Sequence, residues 1–135
     1  MFCLLLIIFS VHSKGQKNTN VSLAGIDNKI KSKDIPGAKL LYERALAANP
    51  NDANLNYNYG LFLISYTEEM QKAKQYIETA LSLNPENTKI RYTYAILLRI
   101  FFNNKKEARN NYIIASKQKP SLITKEADKL FGISR

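Results

Sequence analysis

One stripe of small and bulky apolar residues recurs three times along the chain. Ala38, Leu41, Tyr42, Ala45 and Leu46 fall at i, i+3, i+4, i+7 and i+8, which is one face of a helix. The face returns 35 residues later as Ala73, Tyr76, Ile77, Ala80 and Leu81, and again as Ala108, Asn111, Tyr112, Ala115 and Ser116. Two alanines seven apart lie two turns apart on nearly the same line. They let a neighbouring helix approach closely, and the bulky residue between them locks beside it. Pro50, Pro85 and Pro120 each follow one of these helices and enforce its end, since the residue before proline avoids the α region. Start signals are also present. Asp34 can cap the first helix with Pro36 in its first turn. Thr67 with Glu68 and Glu69 can open the second. Asn104 with Glu107 three later resembles a capping box for the third.

The segments between these helices are helical too. Leu55, Tyr59, Phe62 and Leu63 form one stripe after Asp52, and Ile90, Tyr94, Leu97 and Leu98 form its equivalent after Asn87. At the 35-residue offset Tyr57 matches Tyr92, Tyr59 matches Tyr94, and Gly60 matches Ala95. Gly60 and Ala95 are the small residues expected where two helices of one unit cross. The first unit's leading helix, within "NVSLAGIDNKIKS", is weakly striped. A closing segment, "SLITKEADKLFGI", has an apolar side of Leu122, Ile123, Ala127, Leu130 and Phe131, as a capping helix needs. No unit can bury its apolar face alone, so three units and a cap make a minimal stable array.

These residues resemble the tetratricopeptide repeat: a small residue, then alanine, a bulky residue, alanine and proline in fixed order. The pattern stands as Gly60, Ala73, Ile77, Ala80, Pro85, and as Ala95, Ala108, Tyr112, Ala115, Pro120. The first copy shows Ala38, Tyr42, Ala45, Pro50. The resemblance covers about residues 18–120. It implies an all-α, right-handed α-solenoid of three helix-turn-helix repeats (about 18–52, 53–87 and 88–120) with a C-terminal capping helix over 121–132. Residues 14–135 would form this domain. Two features depart from the family. The period is 35 instead of 34, which places one extra residue in the turn between paired helices, and Asn56 and Arg91 stand where an aromatic is common.

Composition fits a folded chain of 135 residues, with 45% hydrophobic and 23% charged positions and only 5 glycines and 4 prolines. The net charge of +9 is uneven: +3 over residues 1–52, −2 over 53–87 and +8 over 88–135. A basic end attracts anionic partners. No run of five like charges occurs, however, and a chain rich in Lys, Asn and Ile accounts for much of the excess. The opening "MFCLLLIIFSVHSKGQKN" has an apolar run from Phe2 to Phe9, far too short to span a bilayer as a helix. It suits a secretory signal, residues 1–13, with Val11 and Ser13 before a cut at Lys14. No Lys or Arg precedes it. The alternative is a hydrophobic N-terminal arm, which if uncleaved could associate with a membrane. The expected destination is export, periplasmic or secreted; the alternative is cytoplasmic or membrane-associated. Cleavage would remove Cys3 and His12, the one cysteine and one histidine.

No catalytic constellation, glycine-rich phosphate loop or metal-ligand spacing is present, so no cofactor and no enzyme activity are expected. The resemblance implies a non-catalytic adaptor that binds a peptide or protein segment, acidic segments included, in a concave groove. Its lining positions fall on Asn54, Tyr57, Asn58, Leu61 and Ile64 in the second unit and on Lys89, Tyr92, Thr93, Ile96 and Arg99 in the third. Amides suit a peptide backbone, tyrosines its side chains and cations its carboxylates. The family's carboxylate clamp is matched only at Asn58 and Lys89. Thr93 holds the arginine place, and the first-unit places fall on Ser22 and Ile26, or on Leu23 and Asp27. The alternative function is an RNA-binding helical repeat, pentatricopeptide-like or half-tetratricopeptide-like, using the basic C-terminal third. Against it, the units end in Asn49-Pro50 and Asn84-Pro85. The cations Lys89, Arg99, Lys105, Lys106, Arg109, Lys117 and Lys119 also do not line up with aromatics along one track.

The opening segment yields a direct test. N-terminal sequencing of the protein made in its own host should begin near Lys14. An intact Met1 in a soluble cytosolic pool refutes export.

Overall fold

The computed structural model describes residues 22–122 and 124–134. The apolar run of residues 1–13, with Cys3 and His12, lies outside the described residues, as does Ile123 of the closing segment. Among those described, seven α-helices and one 3-10 turn follow in order, and no strand occurs. They are α1 (Ser22–Lys31), α2 (Ile35–Ala48), α3 (Ala53–Tyr66), α4 (Met70–Leu83), α5 (Thr88–Ile100), α6 (Lys105–Gln118), the 3-10 turn Pro120–Leu122, and α7 (Lys125–Phe131). The sequence period is reproduced in the helix starts: 35, 70 and 105 for one set, 53 and 88 for the other. The chain forms two compact units, one up to Leu83 and one from Asn84 onward.

Capping explains most of these boundaries. The Asp34 carboxylate accepts from the Gly37 N–H at 2.9 Å, with Pro36 in the first turn where no amide is needed. Asp52 accepts from the Asn54 and Leu55 amides, and Asn87 from the Ile90 amide. Asn104 Oδ1 accepts from the Glu107 N–H at 3.3 Å. The return half of that capping box differs from the usual one. Glu107 accepts from the Asn104 side-chain amide at 2.7 Å instead of from its backbone. Thr67 differs more. It is the C-cap of α3, extended at φ −137°, ψ 176°, and α4 begins only at Met70. Its hydroxyl still serves the next helix by accepting from the Glu69 N–H at 3.1 Å. The equivalent turns after α1 and α5 pass through left-handed residues, Lys33 and Asn103. Both are closed by a backbone bond back into the helix, Asp34 N–H to Lys29 O and, one residue longer, Asn104 N–H to Leu98 O.

In the first unit α1 packs on α2 and α3 packs closely on α4. Gly60 sits at that second crossing. A β-carbon there would stand 2.6 Å from Ile77 Cγ1 and 3.2 Å from the Ala73 carbonyl oxygen. Ala38, Ala73 and Ala80 are fully buried, as are Ile26 of the weakly striped α1 and Ile77. Ala45 is the exception among the repeat alanines, being half-buried. Where α2, α3 and α4 meet, Tyr42 stacks on Tyr59 at 5.2 Å and Tyr59 meets Tyr76 edge-on at 4.6 Å. The Tyr59 hydroxyl donates to Glu43 at 2.9 Å, and burial with that bond pushes its pKa far up. Lys72 pairs with both Glu43 and Glu69, and Lys39 pairs with Glu69, so charges tie α2 to α4 at the rim of the cluster.

In the second unit α5 packs on α6 the same way, with Ala95, Ala108 and Ala115 fully buried. The cap docks through Tyr112. Its ring stacks on Phe131 at 4.3 Å and its hydroxyl donates to Asp128 at 2.5 Å. Thr124 caps α7, and Gly132 ends it in the left-handed conformation at φ 66°, a backbone state that costs glycine no Cβ clash.

The two positions that depart from the family pattern share one task. Asn56, buried, donates from Nδ2 to the Pro50 carbonyl at 2.9 Å and to the Asp52 carbonyl at 2.8 Å. One period on, Arg91 donates from Nη2 to the Pro85 carbonyl at 2.6 Å and from Nη1 to Asn111 at 3.2 Å. Each polar side chain satisfies the proline carbonyl that the broken helix leaves without a partner.

Two substitutions test this packing. Gly60→Val should cost about 1–3 kcal/mol by overpacking against Ile77 and the Ala73 carbonyl. An unchanged urea midpoint excludes the close crossing. Asn56→Leu should cost about 0.5–1.5 kcal/mol, since the Pro50 carbonyl loses its side-chain donor and the Asp52 carbonyl keeps only the residue-56 backbone N–H. A variant as stable as the parent would show that these bonds contribute nothing.

Candidate functional site

The expected groove residues lie on two helices, one in each unit. On α3, Asn54, Tyr57, Asn58 and Leu61 fall at i, i+3, i+4 and i+7 and so share a face, with Ile64 continuing it. Lys89, Tyr92, Thr93, Ile96 and Arg99 do the same on α5. The sequence builds both faces identically: an Asp or Asn cap fixes the helix start, and the 35-residue period fixes the rest.

Burial divides each set. Tyr57 and Tyr92 are only 4% and 5% exposed, and Leu61, Ile64, Thr93 and Ile96 are buried with them. Burial, with the Asp128 charge, pushes the Tyr92 hydroxyl pKa up. Its ring lies 6.0 Å from that of Tyr112, so it packs as part of the unit's core. The members that reach solvent are the polar ones, Asn54, Asn58, Lys89 and Arg99, all half-buried. Lys89 has its ammonium pKa pushed down by desolvation. A partly desolvated cation interacts more strongly with an arriving carboxylate than one in bulk water. On each helix separately these side chains can donate hydrogen bonds to carbonyls and carboxylates, through amides on α3 and cationic groups on α5.

Arg99 is tied to a second neighbourhood. Its Nε donates to the Leu130 carbonyl at 3.1 Å, fixing the guanidinium against the end of α7. There it is joined by Lys105, Lys106, Arg109 and Lys129 around one cavity. In the sequence these cations read as dispersed. The turn between α5 and α6 and the return of α7 bring five of them together. Part of that signal was legible: Lys105 and Arg109 are four apart and share a helix face. The contribution of Lys129 depends on tertiary docking. Among the described residues no group of His, Cys, Asp or Glu is placed to hold a metal ion. None of the described helices is long and apolar enough to cross a membrane.

Comparisons with known proteins agree with this architecture. The sequence model of the tetratricopeptide repeat matches residues 41–78, from within α2 through α3 into α4. A search of curated proteins by sequence returns no match. Among solved structures, the chain is similar to the first TPR of Spaghetti (RPAP3), solved bound to the HSP90 peptide SRMEEVD. The TM-score is 0.65 at 19% identity, covering 79% of this chain and 82% of that one. It is also similar to the TPR domain of Arabidopsis OM64, with a TM-score of 0.67 at 17% identity, covering 93% and 94%. At such identities the likeness speaks for the fold alone, an all-α helical-repeat solenoid. The chain thus carries a match to one tetratricopeptide repeat at residues 41–78, and along most of its length it has the all-α helical-repeat fold of solved tetratricopeptide-repeat domains.

Proposed function

We propose that this protein is a non-catalytic interaction module that holds an extended segment of a partner protein on the first-helix faces of its repeats. The observation that carries the reading recurs in each unit separately: half-buried polar side chains, Asn54 and Asn58 on α3 and Lys89 and Arg99 on α5, share a helix face with buried tyrosines and aliphatics. In each unit the buried residues give these side chains a fixed geometry. Side-chain amides then suit the exposed amides and carbonyls of an extended chain, and the cations suit its carboxylates. The likeness to a domain solved with a bound peptide supports the same class of work. The role is that of an adaptor, with binding rather than turnover as its output.

The test is a pull-down from the native host with the parent protein beside an Asn54→Ala, Asn58→Ala, Lys89→Ala variant. These side chains are half-buried and leave the tyrosine floor intact, so the variant should keep its helical spectrum. Partners captured by the parent should be lost or strongly depleted on the variant. Identical capture by both proteins removes the first-helix faces from consideration. Co-purified nucleic acid, with binding that falls about one power of ten per tenfold salt for each phosphate contacted, would favour the RNA-binding alternative.

A further inference from the structure

In the second unit a cavity of about 560 Å³ is lined by Arg99, Lys105, Lys106, Arg109 and Lys129, with Leu130, Phe131 and Gly132 completing it. The lining contains five cationic side chains and no carboxylate. Lys105 and Lys106 open α6, Arg109 stands one turn further on, Arg99 closes α5 and Lys129 is near the end of α7. Among the described residues none of these five makes an ion pair. Of the carboxylates nearby in sequence, Glu107 accepts from Tyr94 and Asn104, Asp128 accepts from Tyr112, and Glu126 stands in the first turn of α7.

We propose that this pocket takes an acidic segment of a partner protein, its carboxylates on the five cations and an apolar side chain against Leu130 and Phe131. The inference rests on the reading of the chain as a protein-binding module, and adds to it the charge of the partner and a second place of contact. Charge complementarity selects a polyanion, and three features select a peptide among polyanions. First, compact oxyanion sites are made by converging backbone N–H groups. Here three of the amides at the start of α6 are already used: Lys105 N–H bonds Asn103 O, Glu107 N–H bonds Asn104 Oδ1, and Ala108 N–H bonds Asn104 O. Second, α7 ends at this pocket, and its carbonyl end offers a compact anion no donor: the Asp128, Lys129 and Leu130 carbonyls accept from the Ile133 N–H, the Gly132 N–H and Arg99 Nε. Third, the aromatic in the lining, Phe131, is 5% exposed and stacked on Tyr112, so it offers no platform for a nucleobase. What remains is a set of separate cations, three of them lysines on flexible stems. Such a set suits several carboxylates spaced along a chain.

The experiment uses the full chain and fluorescence anisotropy at low ionic strength. The probes are a short labelled peptide of Asp and Glu with one leucine, its Asn/Gln counterpart, oligodeoxythymidine of matched charge, and inorganic pyrophosphate as competitor. The expected result is binding of the acidic peptide over the other probes, weakening as salt rises. A Lys106→Glu, Arg109→Glu variant should bind it at least about tenfold more weakly. Both positions are exposed, so the fold should be retained, which circular dichroism verifies. The Asn54→Ala, Asn58→Ala variant should bind the peptide as the parent does. The proposal is overturned if the acidic peptide fails to bind, if the charge-reversed variant binds it equally, or if the oligonucleotide or pyrophosphate binds more tightly. In any of these cases a pull-down that still depends on Asn54, Asn58 and Lys89 leaves the module reading standing.

Discussion

The helix pairs can approach only as closely as the residues at their crossings allow. On α3 the residue is Gly60, and no side chain can be added there without meeting Ile77 and the Ala73 carbonyl. On α5 it is Ala95, fully buried against the helix that carries Ala108 and Ala115. The rest of each unit follows from this contact. A short distance between backbones brings the flanking bulky residues into register. In the first unit it packs Tyr59 between Tyr42 and Tyr76, and in the second it places Tyr112 where α7 can stack on it. Buried tyrosines bring a further demand, since a hydroxyl taken from water needs an acceptor. Glu43, Glu107 and Asp128 supply it. One steric constraint therefore reaches through aromatic packing to the placement of acidic residues.

Asn56 and Arg91 show a second constraint, set by prolines. A proline after each second helix stops it cleanly, and it leaves a carbonyl at the junction with the next repeat. In each unit a polar side chain six residues later donates to that carbonyl. The large aromatic that the family often carries here would fill space but donate little. The exchange of packing for hydrogen bonding keeps the junction satisfied, and in Asn56 it does so with a side chain only 2% exposed.

The sequence made the fold largely legible because its strongest signals are steric and periodic. Alanines, the crossing glycine and prolines recur in phase, and the helix starts at 35, 70 and 105 follow them. Boundaries were less legible where one residue serves two helices. Thr67 reads as a helix start, yet it ends α3 and gives its hydroxyl to the amide of Glu69. The site was legible only in part. Helical spacing places Tyr57 with Asn58, and Tyr92 with Thr93, but spacing alone does not say how deeply each is covered. Tyr57 and Tyr92 turn out buried and Asn58 and Lys89 half-exposed, because depth depends on which helices pack alongside. The basic cavity was less legible still. Its cations come from three helices, and only the fold brings Lys129 beside Arg99.

The two units also partition charge differently, and the tyrosines account for it. In the first unit Lys29, Lys39, Lys72 and Lys74 each meet a carboxylate, so its positive charges are largely answered internally. The second unit has few acids, and packing has assigned them elsewhere. Glu107 and Asp128 sit against the hydroxyls of Tyr94 and Tyr112, and Glu86 accepts from Gln118. A carboxylate held by a tyrosine keeps its charge, but it is anchored at the core's edge and not aimed at a cation. The excess of +8 over residues 88–135 is then gathered in space as well as in composition, with five of its cations around one cavity whose lining holds no carboxylate. Screening at physiological salt acts over about 8 Å. Cations gathered around one cavity therefore reinforce one another there, while an isolated surface lysine elsewhere is largely answered by solvent and ions. The uneven charge of the chain thus becomes a local field, fixed by the same aromatic packing that holds the repeats together.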